Sequence, residues 1–439
     1  MANNRFQKFF IHFLSACLLI LAAGNCVVQA NSDDQLLNLS LEDLLKVKIT
    51  TSTKTEESIF TVPSAVTVFT REQINLLGVD YLHELMRYVP GIQVSRSGDS
   101  STEYTISARG RRNSVQSKEI LLLIDGRIFN APRNGSATSL VDTIYLDRVE
   151  KVEVIRGPGS AIYGNSAYAG VINVTMIKNT NRLIASAGNF ERLGVSIDFV
   201  NQVSDWNINT NITIQEDSGD RFIVPGTFSS SPGQVRTDDP QSALQLDLSL
   251  QKDKTNISIF FDQRQVDDYY AVETINNELN RFDRKALIFY VDHVVEWSND
   301  FRSTYRLQQT LSELDLLFQL SAGGSLFPIS SPQSDEPLIG NVLIEGSRSL
   351  LTWENEWRLQ EDKNLQIGLE LQKKDELKGI AYTNYNLVQL SQGVFPVEFY
   401  GNLSQYFQIG TEDDESNWAL FGQYALRFKP GHELTIGLR

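Results

Sequence analysis

From about Arg182 to its last residue the chain alternates apolar and polar positions with a period of two. Leu244, Leu246, Leu248 and Leu250 alternate with Gln245, Asp247 and Ser249, and Leu365, Ile367, Leu369 and Leu371 with Gln366, Gly368 and Glu370. Leu434, Ile436 and Leu438 continue the pattern at the end. Period two marks strands with two unlike faces. It predicts about ten strands: Leu193–Phe199, Asp205–Glu216, Ser242–Gln251, Thr255–Val266, Lys285–Glu296, Phe301–Leu311, Val342–Leu359, Asn364–Lys373, Asn417–Phe428 and Glu433–Arg439. Long connections at Asp217–Pro240, Asp267–Arg284 and Lys374–Glu415 contrast with tight turns at Lys252-Asp253-Lys254 and Lys429-Pro430-Gly431-His432. In water one face of these strands would need a cover. In lipid it needs none, so the pattern fits a membrane β-barrel with a polar lumen, although a soluble β-sandwich alternates too. Trp297, Trp353, Trp357, Trp418 and Tyr424 lie near strand ends, where an interface girdle would place them.

Before that point the pattern is mixed. Leu36–Val47 is a short amphipathic stretch opened by Ser40 with Asp43 three residues on. Ala65–Phe69 reads as a strand, and Thr70 as the cap of a helix with Gln73 closing a capping box. Tyr81–Tyr88 reads as a second helix that stops before Pro90-Gly91. Ile92–Val94 and Tyr104–Ile106 are short strands around a polar loop, Ser95–Thr102. Ile120–Ile124 is continuously apolar, a strand buried on both faces, ended by the turn Asp125-Gly126. Val149–Met176 alternates as a strand, turns at Gly157-Pro158-Gly159-Ser160, passes Gly164 and Gly170, and resumes as a strand. Pro158 fixes φ and the glycines accept dihedrals and close approaches that other residues resist. The result is a small α+β domain over residues 45–178, ahead of a barrel region over 179–439.

With 54 acidic and 39 basic residues the net charge is -15, which argues against a nucleic-acid binder. Met1–Ala30 has the pattern of a secretory leader: Arg5 and Lys8, an apolar Phe9–Ala23, and small residues at Val28 and Ala30, which predicts a mature start at Asn31. Cys26 offers a lipoprotein alternative, against which stands the polar Asn25. Residues 31–44 then form an N-terminal periplasmic segment. Both cysteines, Cys17 and Cys26, fall in the leader, so the exported fold uses no disulfide. No later apolar run approaches about 18 residues, so a membrane would be crossed by strands alone.

Chemistry-bearing groups are few. His12, His83, His293 and His432 assemble into no nucleophilic or acid–base grouping, no metal spacing appears, and no cofactor is implied, so an enzyme is not expected. Gly159 and Gly164 have the glycine spacing of a phosphate-cradling loop, but Asn165 stands where that loop needs lysine.

The stretch VEVIRGPGSAIYGNSAYAGVINVTM resembles the segment that closes the plug domain of TonB-dependent outer-membrane receptors. Ile106-Ser107-Ala108-Arg109-Gly110 and Ile120–Gly126 match an earlier element of that family in the right order. The resemblance implies an N-terminal α+β plug inside a barrel that closes with 22 strands, so about ten strands would be part of a longer wall. It implies a TonB box, best matched by Val47-Lys48-Ile49-Thr50-Thr51, that pairs with TonB as an added strand, although a plain first strand of the plug fits as well. It implies that Arg109 and Arg156 lie between plug and wall and pair with acidic wall residues, around the plug turn formed by Gly157, Pro158, Gly159, Gly164 and Gly170. It makes the loop Phe129–Thr138 outward-facing, with Phe129, Arg133 and Asn134 as ligand contacts. The implied function is energised import of a small ligand, most commonly an iron chelate such as a ferric siderophore. Cobalamin, haem, for which His293 within a strand is the histidine considered, and carbohydrate are the other cargoes, and a passive porin or adhesin is the rival.

Overall fold

The structure, a computed structural model, describes residues 48–49, 57–58, 65–96, 104–110, 117–137, 143–159, 162–164, 167–219, 223–225, 234–236, 238–271, 279–360, 362–408, 414–429 and 432–439. All of them belong to the second of two units, Leu45–Arg439. The leader and the amphipathic stretch Leu36–Val47 lie outside the described residues.

The inner domain opens with two short strands, β1 (Lys48–Ile49) and β2 (Glu57–Ser58), paired antiparallel. There follow β3 (Val66–Thr70), α1 (Arg71–Leu77), α2 (Leu82–Met86), β4 (Ile92–Arg96), β5 (Tyr104–Ala108), β6 (Ile120–Ile124), β7 (Arg127–Ile128), β8 (Val149–Arg156) and β9 (Gly170–Met176). The sheet order is β3-β8-β9-β6-β7, with β6 and β9 parallel, while β4 and β5 form a separate ribbon. The capping box of α1 forms as the sequence predicts: the Thr70 amide donates to Gln73 Oε1 at 3.0 Å and Thr70 Oγ1 accepts from the Gln73 amide at 3.4 Å. The second helix is shorter than Tyr81–Tyr88. It ends at Met86 because Arg87, Tyr88 and Val89 each bond three residues back, tightening the chain into Pro90-Gly91. In turn β4 runs on to Arg96, through two residues expected in a loop, because Ser95 and Arg96 pair with Thr105 and Tyr104. All five residues of β6 are buried, and Leu82, Leu85 and Met86 of α2 pack into the same core as Leu122, Val152 and Val174. His83 is buried there, its ring stacked 3.9 Å from that of Tyr104.

The wall is one antiparallel sheet. Its strands in series are β10 (Arg182–Ala187), β11 (Leu193–Val203), β12 (Trp206–Asp217), β15 (Gln241–Lys252), β16 (Thr255–Asp267), β17 (Arg281–Ser298), β18 (Phe301–Gln319), β20 (Ile339–Gln360), β21 (Lys363–Thr383), β24 (Asp414–Lys429) and β25 (His432–Leu438). Beyond one end, β13 (Ile223–Pro225) pairs with β14 (Gln234–Arg236), β19 (Ser330–Ser331) runs parallel to β22 (Val397–Glu398), α3 spans Leu387–Gln392, and β23 (Gln405–Gln408) pairs with β21. Two expectations are corrected. Arg182–Ala187 is itself a wall strand. Val342–Leu359, one of the expected strands, is the body of a single strand of 22 residues. The strands also outrun their alternating segments on the long-loop side: β18 pairs with β20 as far as Gln319↔Ile339, where backbone bonding continues although period two has faded.

Polarity in the wall is inverted relative to a soluble protein. Gln245, Asp262, Arg284, Gln308, Thr310 and Arg348 are buried on the inward face, while Leu287, Phe289, Leu307, Leu351, Trp418 and Ile436 are exposed on the outward one. That arrangement is stable only where the outer solvent is hydrocarbon. At the short-turn end Phe301 stacks on Trp357 at 4.6 Å and Trp297 lies 6.4 Å from Phe301, as an interface belt would have it.

Candidate functional site: the seam between inner domain and wall

The inward face of β15–β17 holds the inner domain by a mixture of packing and polar contacts. Phe260 and Ile288 enter the core of the inner domain, and Phe260 meets Phe129 edge-on at 5.3 Å. Beside them Arg148 Nη2 donates to Asp247 Oδ2 at 3.2 Å, with the guanidinium 5.9 Å from the Phe260 ring. Burial pulls the Arg148 pKa down and Asp247 opposes it. Gln245 Nε2 donates to the Thr143 carbonyl at 2.5 Å and to Asp262 at 2.8 Å, while Asp262 also accepts from Arg284. Further along, Tyr81 Oη donates to Gln215 at 3.3 Å, and Arg192 binds Asp80 at 2.7 Å with its guanidinium 5.0 Å from the Tyr81 ring. Burial pushes the Tyr81 phenol up to about 12.

Strands β18 and β20 grip the edge of the inner sheet. The Ile128 amide donates to Gln308 Oε1 at 3.1 Å and the Ile128 carbonyl accepts from Gln308 Nε2 at 2.6 Å. Arg348 Nη2 reaches the same carbonyl at 2.9 Å and Nη1 reaches the Asn130 carbonyl at 3.2 Å. On the short-turn side of these contacts lies a cavity of about 390 Å³ between the inner sheet and the wall, lined by Leu121, Leu123, Ile128, Tyr163, Asn173, Lys178, Tyr290, Asp292, Arg306, Gln308, Leu350, Thr352 and Glu370 among others. Among the described residues no group of three or more His, Cys, Asp or Glu is placed to hold a metal ion.

The sequence-derived sites fall as follows. Lys48 and Ile49 pair with Ser58 and Glu57, while Val47, Thr50 and Thr51 lie outside the described residues. Among the described residues, Arg109 and Arg156 show contacts to carbonyls of the inner domain and none to an acidic wall residue. Arg109, at φ 55, donates to the Arg156 carbonyl at 3.0 Å, and Arg156 approaches the Pro90 carbonyl at 3.5 Å. Their strands end at the domain's own turns, so Arg109 ties the end of β5 to the end of β8 and Arg156 ties β8 to the turn before β4, while Arg148, just ahead of β8, reaches the wall. At the glycine turn, Gly157 has φ 126, and a Cβ on Gly170 would fall 2.7 Å from the Ile155 carbonyl oxygen. Added Cβ atoms would lie 2.7 Å from Ala167 Cβ at Gly159 and 2.9 Å from Arg439 Cζ at Gly164, while Pro158 is exposed. In the loop, Phe129 is 3 % exposed and belongs to the core, so it is not presented to a ligand. Arg133 and Asn134 are half-buried, Asn134 Oδ1 accepting from the Ser136 amide at 3.0 Å. His293 is on the outward face, bonded to Thr255 at 2.8 Å, which removes it from the lumen as a haem ligand. Period two did mark Gln245 and Asp247 as inward, but which carbonyl or guanidinium each would meet was not in the pattern.

The TonB-dependent Receptor Plug Domain family matches residues 58–171. The chain is 33% identical over 150 residues to "Vitamin B12 transporter BtuB" of Vibrio vulnificus (strain CMCP6), a match covering 34% of this chain and 23% of the relative. In fold it is similar to the pyoverdine outer membrane receptor FpvA of Pseudomonas aeruginosa PAO1, with a TM-score of 0.63 at 15% identity, over 89% of this chain and 58% of that one. The siderophore receptor PirA of Acinetobacter baumannii matches with a TM-score of 0.56 at 17% identity, over 85% and 55%. The match thus spans about a quarter of the curated relative's length, and rather more than half of each of these two solved receptors.

Proposed function

We propose that this chain, whose architecture is that of the plug and wall of a TonB-dependent outer-membrane receptor, serves the energised import of a small ligand across the outer membrane of a Gram-negative cell. The observation that carries this reading is the seam. A folded plug fills the inward side of a lipid-facing wall, yet wall side chains hold it by a small set of separate polar contacts, among them hydrogen bonds to the carbonyls of Thr143, Ile128 and Asn130. Water can replace each such bond one at a time, so the plug can be displaced by an external pull without unfolding the wall. A passive pore has no use for a plug that shares its core with the wall. The finer parts of the reading are a wall completed to 22 strands, as the family's plug requires, and TonB pairing with Val47–Thr51, whose Lys48-Ile49 is already extended.

For the ligand we take a ferric siderophore as the first reading, supported by the fold likeness to siderophore receptors. Cobalamin is the second, favoured by the vitamin B12 transporters that match the plug region. The test is uptake by cells lacking their own receptors and carrying the full-length protein, with or without Val47–Thr51. Radiolabelled ferric chelates and cyanocobalamin are supplied separately. Uptake of one class, abolished by the deletion, is expected. Uptake that survives the deletion would make the protein a passive pore.

A further inference from the structure

The plug sheet ends at β7, a two-residue edge strand. Arg127 pairs inward with Ile124 and the Phe129 amide donates to the Leu122 carbonyl at 2.9 Å, so Ile128 holds the one amide and carbonyl pair that this edge turns outward. An open edge normally recruits another strand. Here two wall side chains take its place. Gln308 satisfies both groups of Ile128, as a neighbouring strand would, and Arg348 adds one bond to Ile128 and one to Asn130. Arg348 is 3 % exposed, its Nε has no hydrogen-bond partner, and no carboxylate forms an ion pair with it among the described residues, Glu370 acting on its charge only from further off. A guanidinium buried with only a distant counter-charge is costly, which suits a contact meant to be broken.

We infer that β7 and the loop after it, Arg127–Ala137, form a flap latched to the wall by Gln308 and Arg348, and that this flap roofs the cavity as the ligand's next stop inside the lumen. The position fits. Along β20 from its long-loop end come Gly346, Arg348, Leu350 and Thr352: the Arg133 backbone nitrogen would lie 3.6 Å from a Cβ on Gly346, Arg348 holds the latch, and Leu350 and Thr352 line the cavity. A ligand loading Arg133 and Asn134 therefore loads the segment the latch holds. The cavity's mixed lining suits a polar, partly charged solute, and Arg348, once its carbonyls leave, has guanidinium donors to offer an anionic group such as a carboxylate or hydroxamate. This rests on the import reading for its purpose, but the latch can be tested without it.

The given sequence has two cysteines, Cys17 and Cys26, both in the expected leader, so Thr352→Cys introduces a thiol in the cavity. Its labelling by a charged maleimide in outer membranes reads cavity access directly, against the parent chain as background. In Gln308→Leu/Arg348→Met we expect labelling at least about tenfold faster, the loss of the charge-assisted bonds alone being of that order. Arg348→Lys, which keeps the charge but loses the two-pronged reach, is expected to fall between. Heat-modifiable migration on gels confirms a folded wall in each case. Unchanged labelling in a folded double variant overturns the latch. So does an equal rise in Arg192→Met, which removes a partly exposed seam contact to Asp80 away from β18 and β20 and would mean general loosening of the plug. Fast labelling with no uptake of any ligand would leave the latch standing and remove the import reading instead.

Discussion

Arg148 of the plug and Asp247 of the wall form an ion pair at 3.2 Å whose side chains are 3% and 12% exposed, and Asp247 Oδ1, Arg148 Nε and Arg148 Nη1 have no hydrogen-bond partner. Such a one-armed buried pair recovers little of its desolvation cost, but breaking one side strands the other charge. We expect Arg148→Met to destabilise plug docking by about 3–5 kcal/mol and Arg148→Met/Asp247→Leu to recover most of that loss. Urea-dependent protease access to the plug measures both. A double variant as loose as the single would mean that the pair itself, not the stranded carboxylate, holds the seam.

Gly170 pairs with Arg156 at the first rung of β9, where the Ile155 carbonyl oxygen would stand 2.7 Å from any added Cβ. The obstacle is backbone, which cannot swing aside as a side chain can. Gly170→Ala should cost about 1–3 kcal/mol, seen as faster hydrogen exchange along β8 and β9 while the wall exchanges as before. Unaltered exchange there would show that the two strands can spread freely.

Leu351 lies opposite Leu307 on the outward face, 46% and 44% exposed. Leu351→Arg should disfavour membrane assembly by about 2–4 kcal/mol if the position sits near the bilayer midplane. Folding into vesicles, followed by gel mobility, tests it. If the arginine variant assembled as well as the parent, this face would not be in lipid.

Asp147, in the plug just ahead of β8, has its carboxyl held above the ordinary value of 3.8, first by burial and then by the charge of Asp80, with Arg71 opposing. The folded state therefore binds this proton more tightly than the unfolded one. Its contribution to stability is greatest below about pH 3.8 and falls as pH rises through 3.8 towards the raised folded value. Asp147→Asn should melt higher than the parent near pH 7, the gap closing on acidification. A lower melting temperature at neutral pH would count against this sign.

Much of the architecture was legible residue by residue. Period two named the wall because each strand has a lipid face and a lumen face, and Leu365–Leu371 shows both in seven residues. Thr70 with Gln73 announced α1, and the unbroken Ile120–Ile124 announced a strand buried on both sides, because caps and buried strands depend on neighbours close in sequence. The strand ends past Leu311 and before Val342 were not legible, since pairing there runs on backbone bonds that carry no side-chain signature. Nor was the seam. Arg109 and Arg156 stand in motifs that point to the wall, yet they brace the plug's own turns, while Arg148, Gln308 and Arg348 hold the plug in place. Sequence determined which faces are oily and where the chain turns, because those are properties of a residue and its near neighbours. Only the folded chain decided which wall side chain meets which plug carbonyl, because Gln308 and Ile128 are 180 residues apart and are brought together by the register of every strand between them.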